Sequence, residues 1–415
     1  FLYVERQFPA YTSILALLQN HQINDITTNY LNGDVAKFIS ENGLPGKLTM
    51  QTHGGRARAI IEGLSIIDIA YIAVPYCDTQ GNAIGYKGKN KCGSLGYAIP
   101  DSEFAKIVVL VTDTVVEDTI ESPEIYGENV DYVLTVDDIG DRKGIVSGTT
   151  QITTNPIGVK IAKNTSRLLQ ETKMIHQGFS FQSGAGGISL RVTKDVRDSM
   201  KENNIKASFF SGGITKYHVD MLEEGLVETL YDVQCFDLDA IESLQRNKNH
   251  IPISSSRYAN PSNPERVIKD LDVVILGATE IDLDFNVNVT TDSHGTIIGG
   301  SGGHSDTASE SKLCVIVSPL IKGRIPIIKN RVTTITTLGK HVDCFVTERG
   351  IAINPLRTDL MDVLKNSKLP IMSIEELQQI THNFTNIPKN IPKSGRIIGV
   401  VEDRTLEIID SLYQK

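Results

Sequence analysis

The stretch AKIVVLVT (105–112) decides the fold class, because it is a short run of aliphatic, mostly β-branched residues without polar alternation. Such a run is typical of a parallel strand that is covered on both faces. Five similar runs alternate with longer segments of helical periodicity: IIDIAYIAV (66–74), VDYVLTV (130–136), LDVVILG (271–277), KLCVIVS (312–318) and VDCFVTE (342–348). This alternation predicts an α/β fold with mostly parallel sheets. The Pro-rich NIPKNIPKSG (386–395) is expected to be a loop before a last strand, RIIGVVE (396–402).

The sequence also contains an internal repeat. Three segments recur in the same order with slowly growing offsets of 204, 206 and 212 residues. They are Asp68/Asp78/Asn82 with Asp272/Asp282/Asn286, AKIVVLVT with SKLCVIVS (311–318), and VDYVLTV with VDCFVTE. We therefore predict two tandem, related α/β domains, 1–168 and 169–415, with the active site in the cleft between them. We expect the N-terminus of the first domain to be incomplete, because the chain does not start with Met.

The composition excludes several classes of protein. The 415 residues carry a formal net charge of −9, which argues against a nucleic-acid-binding protein that needs a basic face. No apolar run approaches the roughly 20 residues that a membrane span requires, and no signal peptide is visible. The five cysteines include no C-x-x-C pair, so neither a zinc knuckle nor a disulfide framework is indicated. A cytoplasmic protein fits these features best.

The stretch GGSGGHSDTASESK (299–312) allows three interpretations. Its G-x-S-x-G pattern is that of a serine nucleophile, with Asp343 and His382 following in the order of a hydrolase triad. It also suits a tight bend after a strand. The first repeat has a glycine-containing loop at the same place, so the stretch can also be a loop that approaches a ligand closely. Asp292, His294, His304 and Asp306 fit no known metal-ligand spacing, so we expect no metal.

Two further glycine clusters follow predicted strands. In FQSGAGG (181–187) the glycines lead into a helical pattern, where N-terminal N–H groups collect an anion or a developing oxyanion. The alternative at this place is close packing of the backbone. The pair Gly212–Gly213 ends another predicted strand and is a weak signal alone.

Three charged residues are candidates on position alone. Glu348 stands at the end of a predicted strand, where its carboxylate either acts in the site or pairs with an arginine. Arg56 and Arg58 follow a double glycine and either bind a carboxylate or extend into solvent.

The longer motifs resemble a known family. The D-x3-N element, the GAGG turn, the G-x-G-G-x-x-D element (300–306) and VTERGIA (346–352) resemble the acyl-CoA transferases. More specifically, the sequence from about Asp25 onward resembles the alpha subunit of citrate lyase. The segments that carry this resemblance are HGGRARAI (53–60), GNAIGYKGKNKCGSLGYA (81–98), GGITKYHVDMLEEGL (212–226), EIDLDFNVNV (280–289), SGGHSDTA (301–308) and TTITTLGKHVDCFVTERGIAINP (333–355).

The resemblance implies a reaction and its partners. An acetyl group on the thiol of a CoA-like phosphopantetheine group is exchanged for citrate, and acetate is released. That group belongs to a small acyl carrier (gamma) subunit, with acetyl-CoA as a surrogate, and a beta subunit then cleaves the citryl thioester. An oligomeric complex, without nucleic acid, membrane or metal, is therefore expected. The alternatives are a CoA-transferase for another small carboxylate and an inactive ligand-binding homologue.

One departure from the wider family affects the mechanism. Many CoA-transferases carry a glutamate nucleophile after a serine, whereas this chain reads Phe210–Ser211–Gly212–Gly213. We therefore expect no covalent enzyme thioester, with a carboxylate of citrate attacking the acetyl thioester itself. The missing side chain should leave room for this second acid.

The resulting set of site residues has two parts. The catalytic set supplies backbone N–H groups and close approach: Gly184, Gly186, Gly187, Gly212 and Gly213. The substrate-binding set is Arg56, Arg58, Asn286, Asn288, Ser301, Gly302, Gly303, His304, Asp306, Glu348 and Arg349.

Overall fold

The computed structural model describes residues 2–3, 12–145, 150–385 and 395–415. Most of the Pro-rich segment that is expected to be a loop (386–394) lies outside the described residues. Helices alternate with short strands, as the sequence predicts. No helix in the described ranges is long and apolar enough to span a bilayer.

The helices, in chain order, are α1 Thr12–Gln19, α2 Gly33–Asn42, α3 His53–Ile61, α4 Ile99–Phe104, α5 Pro156–Glu171, α6 Gly187–Asn203, α7 Lys216–Glu223, α8 Leu238–Arg246, α9 Ser255–Ala259, α10 His304–Glu310, α11 Thr358–Leu364 and α12 Ile374–His382. The strands are β1 Leu2–Tyr3, β2 Ile26–Thr28, β3 Leu48–Met50, β4 Ile69–Val74, β5 Cys77–Asp78, β6 Ile107–Thr112, β7 Val115–Val116, β8 Tyr132–Thr135, β9 Ser180–Ser183, β10 Ala207–Ile214, β11 Val227–Cys235, β12 His250–Pro252, β13 Val273–Gly277, β14 Glu280–Asp282, β15 Val287–Asn288, β16 Leu313–Val317, β17 Ile321–Lys322, β18 Ile325–Pro326, β19 Ile328–Lys329, β20 Cys344–Val346, β21 Ile351–Ile353, β22 Ile397–Glu402 and β23 Ile408–Tyr413.

The chain forms two compact units, each assembled from separate segments. The first contains 1–56, 153–174 and 272–415, and the second contains 57–152 and 175–271. Helix α5 occupies the stretch where the domain boundary near 168 is expected, and it belongs to the first unit. The boundary itself concerns the sequence repeat and stays a prediction.

The first unit contains two main groups of strands. In one, β1, β2, β3 and β22 are parallel and β23 is antiparallel to β22. In the other, β13, β16 and β20 are parallel and β21 is antiparallel to β20. Helix α5 packs on β16 and β20, while α10 packs on β13 and β16. These three parallel strands are therefore covered by helices, and β13, β16 and β20 are almost entirely buried.

The second unit also contains two main groups of parallel strands. Strands β9 to β12 lie side by side in parallel, and β4, β6 and β8 form a separate three-stranded parallel sheet. One core cluster lies under the three-stranded sheet, around Ile72, Val74 and Leu110. All six strands predicted from the apolar runs are confirmed, and β22 confirms the last predicted strand.

The repeat is confirmed by hydrogen bonds that recur pair by pair. In the first copy, the Asp78 carboxylate accepts from the Asn82 N–H at 3.0 Å, and the Asn82 side chain accepts from the Gly127 N–H at 2.9 Å. In the second copy, Asp282, Asn286 and Gly339 make the same two bonds, both at 2.9 Å. Even the ion pairs recur, as Lys106–Asp68 and Lys312–Asp272.

The two copies differ in how their strands are covered. Strand β4 alternates exposed and buried residues, and every residue of β8 is exposed. The expectation that all the predicted strands are covered on both faces is therefore wrong for β4, β6 and β8. The physical reason is that the described chain places no helix on their second face in the way that α5 lies on β16 and β20.

Candidate active site

The turn between β9 and α6 presents an open helix N-terminus. Strand β9 ends at Ser183, and α6 begins at Gly187 with Gly186 as its N-cap, which carries no side-chain cap. Gly186 is exposed, and a Cβ added there would meet no atom within 4 Å. Because the first N–H groups of a helix lack intrahelical acceptors, this turn can donate to an anion or an oxyanion. The helix expected after GAGG is confirmed at this position.

A buried polar network joins the residue before the turn, Ser183, to α6 and α7. The Thr193 hydroxyl donates to the Ser183 hydroxyl at 3.0 Å, and Ser183 contacts Nε2 of His218 at 3.3 Å. The backbone N–H of Thr215 donates to Nδ1 of His218 at 3.2 Å. Burial lowers the pKa of His218 to about 4, so the ring is neutral at pH 7. These residues were not predicted from the sequence, although Ser183 directly precedes the glycines.

Gly212 stands where the resemblance to the CoA-transferases leads us to expect a glutamate nucleophile in many other members. It lies inside β10, at a register shift against β11, with φ +97. A Cβ there would lie 2.7 Å from Cδ of Gln182, whose amide donates to the Tyr258 hydroxyl and accepts from the Ser211 hydroxyl. A side chain at this position would therefore first meet the Gln182 amide, and the expectation that its absence leaves room for a second acid stays a prediction.

Gly213 shows a second close approach in the same strand. A Cβ at this residue would lie 1.7 Å from the Phe236 ring. Packing within the unit therefore accounts for the glycine at position 213. Of the other predicted catalytic glycines in the turn, Gly186 is exposed, and Gly184 and Gly187 are half-buried.

The loop 299–303 packs tightly on the backbone of its own unit. A Cβ at Gly300 would lie 2.2 Å from the Asn29 carbonyl, and a Cβ at Gly299 would lie 2.5 Å from the Val289 carbonyl. Gly302 has φ +51, and its carbonyl accepts from the N–H of His53 at 3.0 Å. The sequence predicts a loop that approaches a ligand closely. In the structure, Gly299 and Gly300 of this loop lie against the backbone of the chain itself.

Asp306 ties this loop to the start of α3. Its carboxylate accepts from the Thr52 hydroxyl at 2.8 Å and from the Gly54 N–H at 3.0 Å, and Arg404 lies 3.8 Å away. Burial raises the pKa of Asp306 to about 6, against the opposing effect of Arg404. Asp306 is fully buried, and both of its carboxylate oxygens are bonded to the start of α3. It therefore positions the loop and does not face substrate.

His304 is held at both ring nitrogens. Nε2 donates to the Gly277 carbonyl at 2.9 Å, and the Thr337 hydroxyl donates to Nδ1 at 2.8 Å. Burial lowers the pKa of His304 to about 4, which keeps the ring neutral at pH 7. Gly303 is the N-cap of α10 just before it, and the Ser301 hydroxyl accepts from the Ser305 N–H at 3.2 Å.

Asn286 and Asn288 have their amide groups engaged inside the unit. Asn286 donates to Asp282 at 3.2 Å and accepts from Gly339. Asn288 is fully buried, donates to Glu280 at 2.9 Å and accepts from the backbone of Thr290 and Thr291 at 3.0 Å. Both amides therefore shape the loop after β14.

Glu348 and Arg349 form the turn after β20. The Glu348 carboxylate accepts from the Leu320 N–H at 3.1 Å and, within the described ranges, makes no ion pair. Arg349 is exposed, and its guanidinium lies 5.8 Å from the centre of the Phe384 ring. The arginine partner expected as the alternative for Glu348 is thus absent from the described residues.

The two arginines of α3 differ in their surroundings. Arg56 is buried, with 4% of its surface exposed. Arg58 pairs with Glu62 one turn later, at 3.0 Å, and is partly exposed.

The hydrolase and metal alternatives find no geometric basis. Asp343 pairs with Arg357 and accepts from the Cys314 N–H at 2.7 Å, and no hydrogen bond in the described ranges joins it to Ser301 or His382. Among these residues, no group of three His, Cys, Asp or Glu side chains is arranged to hold a metal ion.

Comparison with known proteins agrees with this geometry. Residues 8–415 match the family described as citrate lyase, alpha subunit (CitF). The chain is similar to the citrate lyase alpha chain of Klebsiella pneumoniae, with 43% identity over 405 residues, covering 98% of this chain and 80% of that one. The Escherichia coli citrate lyase alpha chain is 42% identical, with 94% and 77% covered.

Solved structures give the same result. The crystal structure of the Streptococcus mutans citrate lyase alpha subunit in complex with citrate has a TM-score of 0.96 and 41% identity, covering 99% of this chain and 81% of that one. The malonate decarboxylase alpha subunit of Acinetobacter baumannii, at TM-score 0.64 and 15% identity over 94% and 83% of the two chains, shares the fold alone. The predicted fold class and family are both confirmed, and the chain belongs to the citrate lyase alpha-subunit family, an enzyme subunit of the CoA-transferase type.

Proposed function

We propose that this chain exchanges acetate for citrate on the thiol of a CoA-like phosphopantetheine group, which an acyl carrier (gamma) subunit presents. Citryl carrier and free acetate are the products, and a beta subunit of the same cytoplasmic complex then cleaves the citryl thioester. The observation that carries the proposal is the near-complete match to citrate lyase alpha chains, together with the citrate-bound Streptococcus mutans relative.

The turn 184–187 is the part of this chain best suited to stabilise an oxyanion. It combines an uncapped helix N-terminus with open space at Gly186, which a thioester carbonyl and its pantetheine arm could enter. The network of Ser183, Thr193 and His218 keeps the turn in one conformation, so its N–H groups need no reorganisation during the reaction.

The absence of a carboxylate at Gly212 supports direct transfer between the two acids. A citrate carboxylate oxygen attacks the acetyl carbonyl, and the thiolate leaves; the thiolate then attacks the citryl carbonyl of the mixed anhydride, and acetate leaves. Every bond that breaks is matched by one that forms, and no side chain of this enzyme is acylated. Gly212, at φ +97 beside Gln182, is poorly suited to any residue with a Cβ.

The substrate-binding set divides by its contacts. Ser301, Gly302, Gly303, Glu348 and Arg349 are proposed to meet substrate, with Arg56 as a buried charge for a citrate carboxylate. The remaining members are proposed to position these loops through the side-chain contacts described above: Arg58, Asn286, Asn288, His304 and Asp306.

The test uses acetyl-CoA as the surrogate thioester. The purified chain is mixed with acetyl-CoA and citrate, and the products are identified by mass spectrometry. Citryl-CoA and acetate in equal amounts are expected. No turnover with citrate would overturn the proposal if the holo carrier subunit also failed as donor. Turnover with another small carboxylate alone would make the chain a different CoA-transferase, and acetyl-CoA binding without turnover of any acid would make it an inactive homologue.

A variant that lacks one backbone N–H tests the oxyanion role. Gly187→Pro removes one backbone N–H at the first helical position, where proline is well tolerated, and Gly186 already has the extended backbone that must precede proline. We expect kcat to fall by about 10² with unchanged stability. The control is Leu238→Pro, which makes the same change at the first position of α8 and should leave kcat unchanged.

A further inference from the structure

The three-stranded sheet of β4, β6 and β8 carries an apolar face that the described chain leaves exposed. Tyr71 is 71% exposed, Tyr132 63% and Leu134 49%, and Ile69 and Ile107 complete the face. We call these five residues the open face. Alternation along β4 puts Ala70, Ile72 and Val74 on the opposite, buried side. Contiguous exposed apolar surface of this kind is typical of an interaction site.

The second repeat shows what covers the equivalent face. Tyr71 pairs with Val109 and Val109 with Tyr132, while in the second repeat Ile275 pairs with Val315 and Val315 with Cys344. The shared register makes Ile275, Leu313 and Cys344 the counterparts of Tyr71, Ile107 and Tyr132. All three counterparts are fully buried. The two equivalent faces therefore differ in burial: the face in the second repeat is covered by other parts of the chain, and the open face is not.

Helix α5 contacts two strands of the second repeat, β16 and β20. Seven residues of α5 are buried, and all of them except Asn164 form a stripe of small and apolar residues. The stripe consists of Gly158, Ile161, Ala162, Thr165, Leu168 and Leu169.

Within the described residues, no helix contacts β6 and β8 in the way that α5 contacts β16 and β20. Another helix of the second repeat does have a counterpart in the first, since α1 and α7 start at Thr12 and Lys216, 204 residues apart. The Klebsiella pneumoniae and Streptococcus mutans relatives each have about a fifth of their length outside the match, since it covers 80% and 81% of them.

We propose that the open face is the docking surface of an amphipathic helix equivalent to α5, supplied by the residues that the relatives have in addition to the matched region. Its buried stripe should follow that of α5, with small or aliphatic residues at positions i, i+3, i+4, i+7, i+10 and i+11 and polar residues elsewhere. Small residues let the helix approach the two large tyrosine rings of the open face.

The test uses the 415-residue chain and a second polypeptide that consists of the Klebsiella pneumoniae residues outside the match. Calorimetry measures binding, and hydrogen exchange locates it. We expect a one-to-one complex with protection confined to 69–74, 107–112 and 132–135. The double variant Tyr71→Lys/Leu134→Lys should weaken binding by about tenfold or more, because both side chains are exposed and their replacement leaves the fold intact.

The control is Tyr126→Lys, at an exposed tyrosine (54%) outside the three strands, which should change the affinity less than about twofold. Absence of binding, or binding that the double variant leaves unchanged, would overturn the proposal. A dimer of the 415-residue chain that dissociates in the double variant would also overturn it, because a second copy would then be the occupant. None of these readouts depends on transferase activity.

Discussion

The two repeats have the same hydrogen-bonded skeleton in different surroundings. Asp78 and Asp282 accept the same backbone bonds, and the two sets of three parallel strands pair in the same register. One set has an exposed apolar face, whereas the other is buried under α5 and α10. The comparison shows that a few local residues define the hydrogen bonds and strand pairing that the repeats share. Helices distant in sequence decide which strand positions are buried and must therefore be apolar.

The largest expected effect comes from placing the same charge at equivalent positions. Ile275→Lys places an ammonium at a fully buried position of β13 and should cost about 4 kcal/mol or prevent folding. Tyr71→Lys, at the equivalent and exposed position, should cost less than about 0.5 kcal/mol. Urea unfolding of both variants measures the difference, and equal costs would contradict the account of the open face.

The next effect should be the same in both repeats. A Cβ at Gly127 would lie 2.2 Å from the Gln80 carbonyl, and one at Gly339 would lie 1.8 Å from the Asp284 carbonyl. Gly127→Ala and Gly339→Ala should therefore each destabilise the fold by about 3 kcal/mol through overpacking. Gly144→Ala, where a Cβ meets nothing within 4 Å, is the control. A large cost in one repeat alone would show that the skeleton is not shared.

A pH effect distinguishes helices α7 and α1. His218 in α7 has its pKa lowered by burial from 6.5 to about 4, and Ile14 takes its place in α1. Between these two values the unfolded chain binds a proton that the native ring does not. The free energy of unfolding therefore falls as the pH drops from 6.5 towards 4, by about 2 kcal/mol at pH 5.

The variant His218→Gln should remove that part of the pH dependence. Denaturant unfolding at pH 7 and pH 5, compared with the parent chain, isolates it from other titrating groups. Parallel pH profiles for the two proteins would mean that His218 is already solvated or charged in the native state.

The smallest expected loss of stability is that of an alanine substitution in the loop 299–303, and the equivalent substitution in the first repeat should cost more. Gly302→Ala places a Cβ 3.2 Å from Nε2 of His53 at φ +51 and should cost about 1 kcal/mol of backbone strain. Gly96→Ala, at the equivalent position, should cost more, because its Cβ would lie 2.4 Å from the Ile253 carbonyl. Gly302→Ala should also slow transfer; an unchanged rate would remove Gly302 from the proposed site.

Much of the fold was predictable from the sequence. The apolar runs predict six strands correctly, and the D-x3-N spacing predicts the repeat, because both patterns act over a few residues. The covering of β4, β6 and β8 was predicted wrongly, since it depends on which distant element packs there. The parallel pairing of β3 with β22 joins residues about 350 positions apart, which no local pattern encodes.

The candidate site was also predicted only in part, because local spacing defines some of its features and long-range packing defines the others. The helix N-terminus after GAGG follows from local spacing, and the structure has it at Gly187. Gln182, Asn29 and His218 were missed, because only the fold brings the first two beside Gly212 and Gly300 and the third beside Ser183. Asn288 and Asp306 carry the polar groups expected of substrate ligands, yet their burial turns those groups inward.

The most direct test of the central claim follows oxygen atoms through a single turnover. Enzyme in excess over acetyl-CoA is mixed with citrate whose carboxylates carry ¹⁸O, and both acetate and intact protein are weighed by mass spectrometry. Direct transfer predicts one ¹⁸O atom in the released acetate and an unchanged protein mass, because the citrate oxygen that attacks the acetyl group leaves with it. Unlabelled acetate with ¹⁸O in the protein would contradict the account, since it would require an acylated enzyme carboxylate.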